Sequence, residues 1–505
     1  VWAVGIAGGH PIAFTAEVRN KKAIENAVDN FRKHYVNTYE KFFWAPDDFA
    51  DMTPDREVWY SGQARYHESK KNLKYMAEYG RKIGVLPITY GKSIGSGDRA
   101  RDIIRENPEM VWGYGGVMDF HPDTEELEKW QKDSKPYWQG TAWANYNMND
   151  PAVVAKGINE IINSTKMFGW AGVRFDGHFT ARTGKQRVGD KIINFTKEMA
   201  DKQTATNIRT LKKRVWEIFP KYVFGYNYAE CAFPEKLQEH PRESIELCRD
   251  GGKIMDEYAR QNEGGSHPFR EWKKYASMLV KESIIIRRLG GYLFPICHAN
   301  GIIGRYQIIF TMAAGGHPTY VNNTPFKYTM FATRYAGILW DKRLKNIWHP
   351  NGLVLVPFTL MWENYVKELD IDKNHKRLII HLINPPLQKT ATKSFAIEQE
   401  LNKRKRERNR IIKEARAKKI KPDFSKLDKL PPLKLYPDPQ KNIDVKIVYQ
   451  AIGNKWHIQR VILLNADDVS KKELKPDLSD PYFARITVPE VKFWSILVVD
   501  LSKGL

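Results

Sequence analysis

Three short segments end in acids at positions where two-carboxylate chemistry could occur. The first is Gly172-Val173-Arg174-Phe175-Asp176-Gly177-His178, an apolar run closing on an Asp with an Arg two residues earlier. Side chains alternate along an extended strand, so Arg174 and Asp176 share one face. A guanidinium beside the carboxylate lowers its pKa and keeps it ionised, as a nucleophile requires. The plainer alternative is an Asp closing a strand-to-helix turn beside a structural Arg. The second segment is Phe224-Gly225-Tyr226-Asn227-Tyr228-Ala229-Glu230 and the third is Gly252-Lys253-Ile254-Met255-Asp256-Glu257-Tyr258. Two facing carboxylates are the minimum for glycoside hydrolysis: one attacks or activates water, the other protonates the leaving oxygen. Asp176 with Glu257 or Glu230 supplies such a pair. A lone Glu at a strand end is otherwise a surface or salt-bridge residue.

Aromatic residues crowd the same loops, among them Trp44, Tyr90, Trp143 and Tyr228. Sugars present apolar C–H faces, and aromatic rings make platforms for them. Arg174, His178, Asn227, Asp47, Asp256, His298 and His317 add groups able to hold sugar hydroxyls. For each of these residues taken singly, a packing or turn role is equally open.

The elements that must position these groups follow a rhythm from about residue 40 to 342. Strand candidates are Lys41–Trp44, Gly84–Tyr90, Tyr137–Tyr146, Gly172–Asp176, Tyr222–Tyr228, Gly252–Glu257, Gly291–Ile296 and Pro318–Val321. Helical patterns separate most of them, as in Glu68–Lys82, Pro151–Met167, Gly189–Phe219, Pro268–Arg288 and Phe326–Trp340. Asp150-Pro151 is a good helix start, with a capping Asp and Pro at the first helical position. Eight alternating units predict an α/β fold, a (β/α)8 TIM barrel over residues 41–342, preceded by a segment at 1–40 that could be a remnant of a β-rich region. Function in such a barrel gathers at the C-terminal strand ends. After residue 343 come short strands with polar turns: Leu353–Phe358, Arg377–Ile383, Val445–Ala451, Gln459–Leu464, Phe483–Val488 and Phe493–Asp500. They predict a C-terminal antiparallel β-sandwich over 343–505. Residues 393–439 interrupt it as a basic insertion, helical over Ser394–Ile420 and then rich in Pro and Lys.

Composition narrows the classes. The 505 residues are 42% hydrophobic and 12% aromatic, enough for large cores. No run of about 18 apolar residues is present, so no membrane span is expected. Three cysteines cannot build a disulfide framework or a four-thiolate zinc site, and no His-Glu-x-x-His, EF-hand or Cys-x-x-Cys pattern occurs. No metal and no cofactor are expected. No Gly-x-Ser-x-Gly elbow or dinucleotide fingerprint is present either. The net charge is +22, and residues 401–422 hold eleven Lys or Arg against two Glu. The first reading of 401–422 is a solvated charged helix; contact with an anionic polymer or self-association comes second, and nucleic acid is a distant third because the stretch has no interleaved aromatics. The chain starts at Val1, which a removed signal peptide explains; the expected location is extracellular or cell envelope.

The stretch from Ser61 to Asp256 resembles TIM-barrel glycoside hydrolases of the dextranase and cycloisomaltooligosaccharide-glucanotransferase type (family 66), and more loosely the α-galactosidase and α-amylase groups. The residues that carry this are Gly84-Val85-Leu86-Pro87-Ile88-Thr89-Tyr90-Gly91, Asn147-Met148-Asn149-Asp150-Pro151, Val173-Arg174-Phe175-Asp176-Gly177-His178, Phe224-Gly225-Tyr226-Asn227 and Met255-Asp256-Glu257-Tyr258. Arg377-Leu378-Ile379-Ile380-His381-Leu382-Ile383-Asn384 resembles the β-sandwich that follows such barrels. The resemblance implies Asp176 as nucleophile and Glu257 as acid/base, with Glu230 the competitor, and retention through a covalent glycosyl-enzyme. One departure stands out. Enzymes of this type often carry a second acid soon after the Phe-Asp-Gly segment, and here that stretch reads Phe179-Thr180-Ala181-Arg182. Two expectations follow. The first is a glycoside hydrolase or transglycosylase acting on a polysaccharide or oligosaccharide, an α-glucan among the candidates. The second is a catalytically inactive relative serving as a structural or carbohydrate-binding protein of a cell surface or filament.

Overall fold

The computed structural model describes residues 5–6, 20–61, 67–96, 98–114, 143–257, 272–297, 301–320, 326–347, 350–386, 391–430, 437–453 and 455–504. Contacts divide the chain into two units. One holds residues 1–257, 281–298 and 315–329; the other holds 258–280, 299–314 and 330–505.

The first unit is built on a parallel sheet of eight strands. These are β1 (Gly5–Ile6), β2 (Thr38–Lys41), β3 (Leu86–Lys92), β4 (Gly172–Asp176), β5 (Val223–Asn227), β6 (Lys253–Asp256), β7 (Tyr292–Cys297) and β8 (Thr319–Tyr320). Each pairs in parallel with its neighbours, and β1 pairs with both β2 and β8, so the sheet returns on itself. Parallel strands need crossover connections, and amphipathic helices supply them. Lys70–Ile83 buries Leu73, Met76 and Ala77, starts at a capping Ser69 and stops at Gly84 with φ +82. Pro151–Phe168 begins as its sequence suggests: the Asp150 side chain accepts from the Ala152 backbone N–H at 2.8 Å, with Pro151 in the first turn.

Strand boundaries differ from the sequence reading in several places, among them β3, which runs Leu86–Lys92 instead of Gly84–Tyr90. The expected strand at Lys41–Trp44 lies three residues earlier, at Thr38–Lys41, and Phe42, Phe43 and Trp44 follow it. The first 40 residues, set apart by sequence, therefore contribute β1 and most of β2 to the parallel sheet. Within the expected strand Tyr137–Tyr146, Trp143–Tyr146 is outside that sheet. It pairs antiparallel with Ile94–Ser96 and Val111–Tyr114 in a separate three-stranded sheet. The helix expected over Gly189–Phe219 runs only from Lys197 to Ile218, because Gly184–Val188 and Lys191–Phe195 pair as a hairpin ahead of it.

The second unit carries two antiparallel sheets. One has six strands in the order β9 (Lys345–Asn346), β11 (Val366–Asp370), β12 (His375–Ile383), β17 (Trp494–Lys503), β14 (Trp456–Asn465), β15 (Ser470–Leu474). The other has β10 (Val354–Leu355), β13 (Gln440–Val448) and β16 (Phe483–Val491). Alternate residues such as Val445, Ile447, Ile486, Val488, Val461 and Val499 meet in one apolar core. The basic stretch forms a helix from Ala391 to Ala417.

Candidate active site

Parallel pairing aligns the ends of β3 to β6, so the residues closing them gather at one mouth of the barrel. Asp176 closes β4 and is two-thirds buried. Tyr90 on β3 donates its hydroxyl to Asp176 Oδ2 at 2.8 Å, and the Asn227 amide on β5 donates to Asp176 Oδ1 at 3.0 Å. The same Asn227 nitrogen donates to Glu257 Oε2 at 2.6 Å, just past β6. One amide thus ties two carboxyl groups together. Their bound oxygens lie within the sum of the two bonds, under about 6 Å apart.

The electrostatics below this pair come from buried charge. Arg174, 3% exposed, reaches Glu40 Oε1 on β2 at 2.9 Å and Asp176 Oδ1 at 3.6 Å. Its guanidinium also lies over the rings of Phe42 and Tyr90, near 5 Å from each centroid. Burial alone would raise the Asp176 pKa. Arg174, the Asn227 and Tyr90 hydrogen bonds, and Lys92 outweigh it, holding the carboxyl below the usual carboxylate range. Arg174 is itself pulled down by burial, but Glu40 and Asp176 more than offset that and raise it. Burial lifts Tyr90 well above the phenol range, and the Asp176 charge adds to the shift, so Tyr90 stays a proton donor.

Sequence reading named Asp176, Glu257, Tyr90, Asn227 and Arg174, and the structure brings these five together. Asp256 is buried at the end of β6, one residue before Glu257. Glu230 sits in a short 3-10 turn, Ala229–Ala232, and makes no bond to Asp176 or Asn227 among the described residues. Trp44 is not a platform for sugar. It is fully buried, donates to Thr89 Oγ1 at 2.8 Å and packs with Trp59, Phe168 and Trp170. Asp47 is spent on its own turn: Oδ1 accepts the Phe49 and Ala50 backbone N–H groups at 3.0 and 2.7 Å. His178 is buried, hydrogen-bonded through Nε2 with Glu243, and its ring meets those of Tyr226 and Tyr228. His317 precedes β8, stacked on Phe294 at 4.8 Å, and so belongs to the opposite mouth of the barrel. His298 and the side chain of Trp143 lie outside the described residues.

Three further charged residues lie near the site. Glu40, on β2, is buried and meets Arg174. Asp48 is 5% exposed, and burial raises its pKa well above the usual range, with Asp47 and Asp176 adding to the effect. Lys92 closes β3 and acts on both Asp48 and Asp176. Correct strand ends would have exposed Glu40 on β2 and Lys92 on β3.

Asp201, His240 and Glu243 bring ligand-type atoms within 4.8 Å of one another. The two carboxylates already have protein partners. Asp201 accepts the Glu243 and Arg242 backbone N–H groups at 3.0 and 3.2 Å, capping the helix Pro241–Cys248, and Glu243 holds His178. Cys231, Cys248 and Cys297 are buried and form no disulfide with one another.

No family model matches the sequence, and no curated protein matches it. Solved structures do share the fold. A cycloisomaltooligosaccharide glucanotransferase of Paenibacillus sp., complexed with cycloisomaltoheptaose, superposes with a TM-score of 0.60 at 10% identity, covering 98% of this chain and 84% of that one. A noncanonic maltogenic α-amylase of Thermotoga neapolitana gives a TM-score of 0.51 at 9% identity, with 98% of each chain covered. The chain therefore has a glycoside-hydrolase-like fold: a parallel α/β sheet joined in sequence to antiparallel sheets.

Proposed function

We propose that this protein is a retaining glycoside hydrolase or transglycosylase acting on a glucan, with the first unit read as a (β/α)8 barrel. The observation that carries the reading is the Asn227 amide held between Asp176 and Glu257. A carboxyl spacing of about 5–5.5 Å suits retention, whereas inversion needs about 6.5–9.5 Å to admit a water. Asp176, kept ionised by Arg174, attacks the anomeric carbon while Glu257 gives its proton to the departing oxygen. Glu257 then takes a proton from water, or from a second sugar hydroxyl, as that oxygen displaces Asp176. Tyr90 and Asn227 fix the nucleophile, and Asp48 faces the same mouth as a hydroxyl ligand. The fold shared with a glucanotransferase that binds a cyclic isomaltooligosaccharide supports a glucan as substrate.

The test is reducing-end release from α- and β-linked glucans and cyclic isomaltooligosaccharides, comparing wild type with Asp176→Asn. Turnover by wild type, a loss of at least about 10³-fold in the variant and first products of unchanged anomeric configuration are expected. Near-normal turnover by Asp176→Asn removes the assignment. Well-folded wild type that binds glucans without cleaving them would favour the inactive, carbohydrate-binding reading motivated by Phe179-Thr180-Ala181-Arg182.

A further inference from the structure

The other mouth of the barrel, at the N-terminal ends of the strands, opens into a cavity of about 430 Å³. Its walls include Leu86 and Ile88 on β3, Val223 on β5, and Tyr292 and Phe294 on β7. Leu86 and Val223 stand at its edge, 37% and 38% exposed, while Ile88 and Phe294 are buried deeper. The backbone of the rim is satisfied: Leu86 donates to Asn37, Val223 to Ala171, Gly251 to Gly290 and Tyr292 to Gly252. Two polar side chains in the wall are not: the Thr38 hydroxyl is buried without a hydrogen-bond partner among the described residues, and Lys253 is the charged one. Lys253, the first residue of β6, is 92% buried by its 8% exposure, and it makes no hydrogen bond or ion pair among the described residues. Its ammonium rests 4.4 Å from the Phe294 ring centroid, which offsets only part of the cost of burying a charge. The Glu40 charge acts on Lys253, but Glu40 is already engaged by Arg174. Burial has pulled the Lys253 amine down to about 8. Asp250, the other charged residue of the wall, is exposed to solvent.

An apolar pocket with one unanswered cation asks for a ligand of matching shape. We propose that this cavity is a second binding site, distinct from the carboxylate pair, for a monocarboxylate with an apolar body whose carboxylate pairs with Lys253. The volume falls in the range of small-molecule pockets, roughly 300–1,000 Å³, and apolar walls with few polar groups are their usual lining. A carboxylate there would form a charge-assisted bond in a site largely cleared of water. The apolar body would cover Leu86 and Val223.

Octanoate and its neutral analogue 1-octanol test the proposal by titration calorimetry on the full chain. Wild type should bind octanoate at least tenfold tighter than octanol. Lys253→Met should erase that preference yet still bind octanol. Leu86→Trp, which fills the mouth and leaves Lys253 in place, should weaken both ligands at least tenfold while glucan turnover stays at the wild-type level. Leu86→Trp decides the matter if Lys253→Met fails to fold. No octanoate binding by wild type, an undiminished preference in Lys253→Met, or unchanged binding in Leu86→Trp each overturns the proposal. The binding readouts that decide the proposal do not depend on the sugar site; glucan turnover serves only as a control that Leu86→Trp leaves that site intact.

Discussion

Asn227 carries more of the site than either acid alone. Its amide is the group that meets both carboxylates, and no other described side chain bonds both. Truncation to Ala removes a bond that lowers the Asp176 pKa and a bond that aims Glu257. Turnover is expected to fall by about 10²–10³-fold, the scale for losing one donor at a developing charge. The sign of the pH effect follows from Asp176. Its pKa in the folded protein is depressed, so removing a stabilising donor raises it. The acid limb of kcat/KM in Asn227→Ala therefore moves to higher pH, and a pH–rate profile reads this directly. A limb that stays in place, with turnover lost, would mean Asn227 only holds Glu257. The same depression makes Asp176 a source of stability above its unfolded pKa of about 3.9, lost as pH falls through the folded value.

At the level of elements, β2, β4 and β6 send Glu40, Arg174 and Lys253 into one buried charge cluster beneath the site. Glu40→Gln leaves Arg174 without its buried counter-ion, and loss of one partner of such a pair costs about 3–5 kcal/mol. Urea unfolding should report a loss of that size with an unchanged m value. A loss below about 1 kcal/mol would show that Asp176 alone satisfies the guanidinium. Sequence could reach β4, β5 and β6 because each is a compact apolar run closed by turn residues, and their ends delivered Asp176, Asn227 and Glu257. It could not reach β1, whose two paired residues carry too little pattern to register. It misplaced β2 because Phe42, Phe43 and Trp44 form the stronger apolar run, although their rings pack beyond the strand: Phe42 against Tyr90, and Trp44 in the cluster with Trp59. That three-residue slip hid Glu40 and made Trp44 look like a sugar platform. Residues 143–146 alternate well enough for a strand, and nothing local separates a strand of the barrel from one in a side sheet. His178 and Asp47 were chosen for their chemistry. Their partners Glu243, 65 residues on, and the Asp47 turn are matters of tertiary contact and local geometry that residue type does not disclose.

At the scale of the whole molecule, the charge of +22 is spread unevenly, with residues 401–422 holding eleven cations against two acids. The helix Ala391–Ala417 spends part of this charge on itself: Arg410 pairs with Glu407 and Glu414, and Arg404 with Glu400. Acids on it are too few to answer the rest, and exposed pairs of this kind contribute little to stability. The helix therefore has a charge role before it has a folding role. Converting Lys403, Lys405, Lys413, Lys418 and Lys419 together to Gln lowers the net charge by five. The expected results are elution from a sulfonated matrix at lower salt, weaker retention on dextran sulfate and a melting temperature within a few degrees of wild type. Asp176→Asn should do the reverse, losing turnover while retaining dextran sulfate as wild type does. If the five-lysine variant keeps its full retention, the attraction for polyanions comes from the remaining surface, and residues 401–422 lose their claim to be the anionic-polymer site. If Asp176→Asn loses retention as well, the polyanion is entering the carboxylate mouth, and charge and catalysis would share one site.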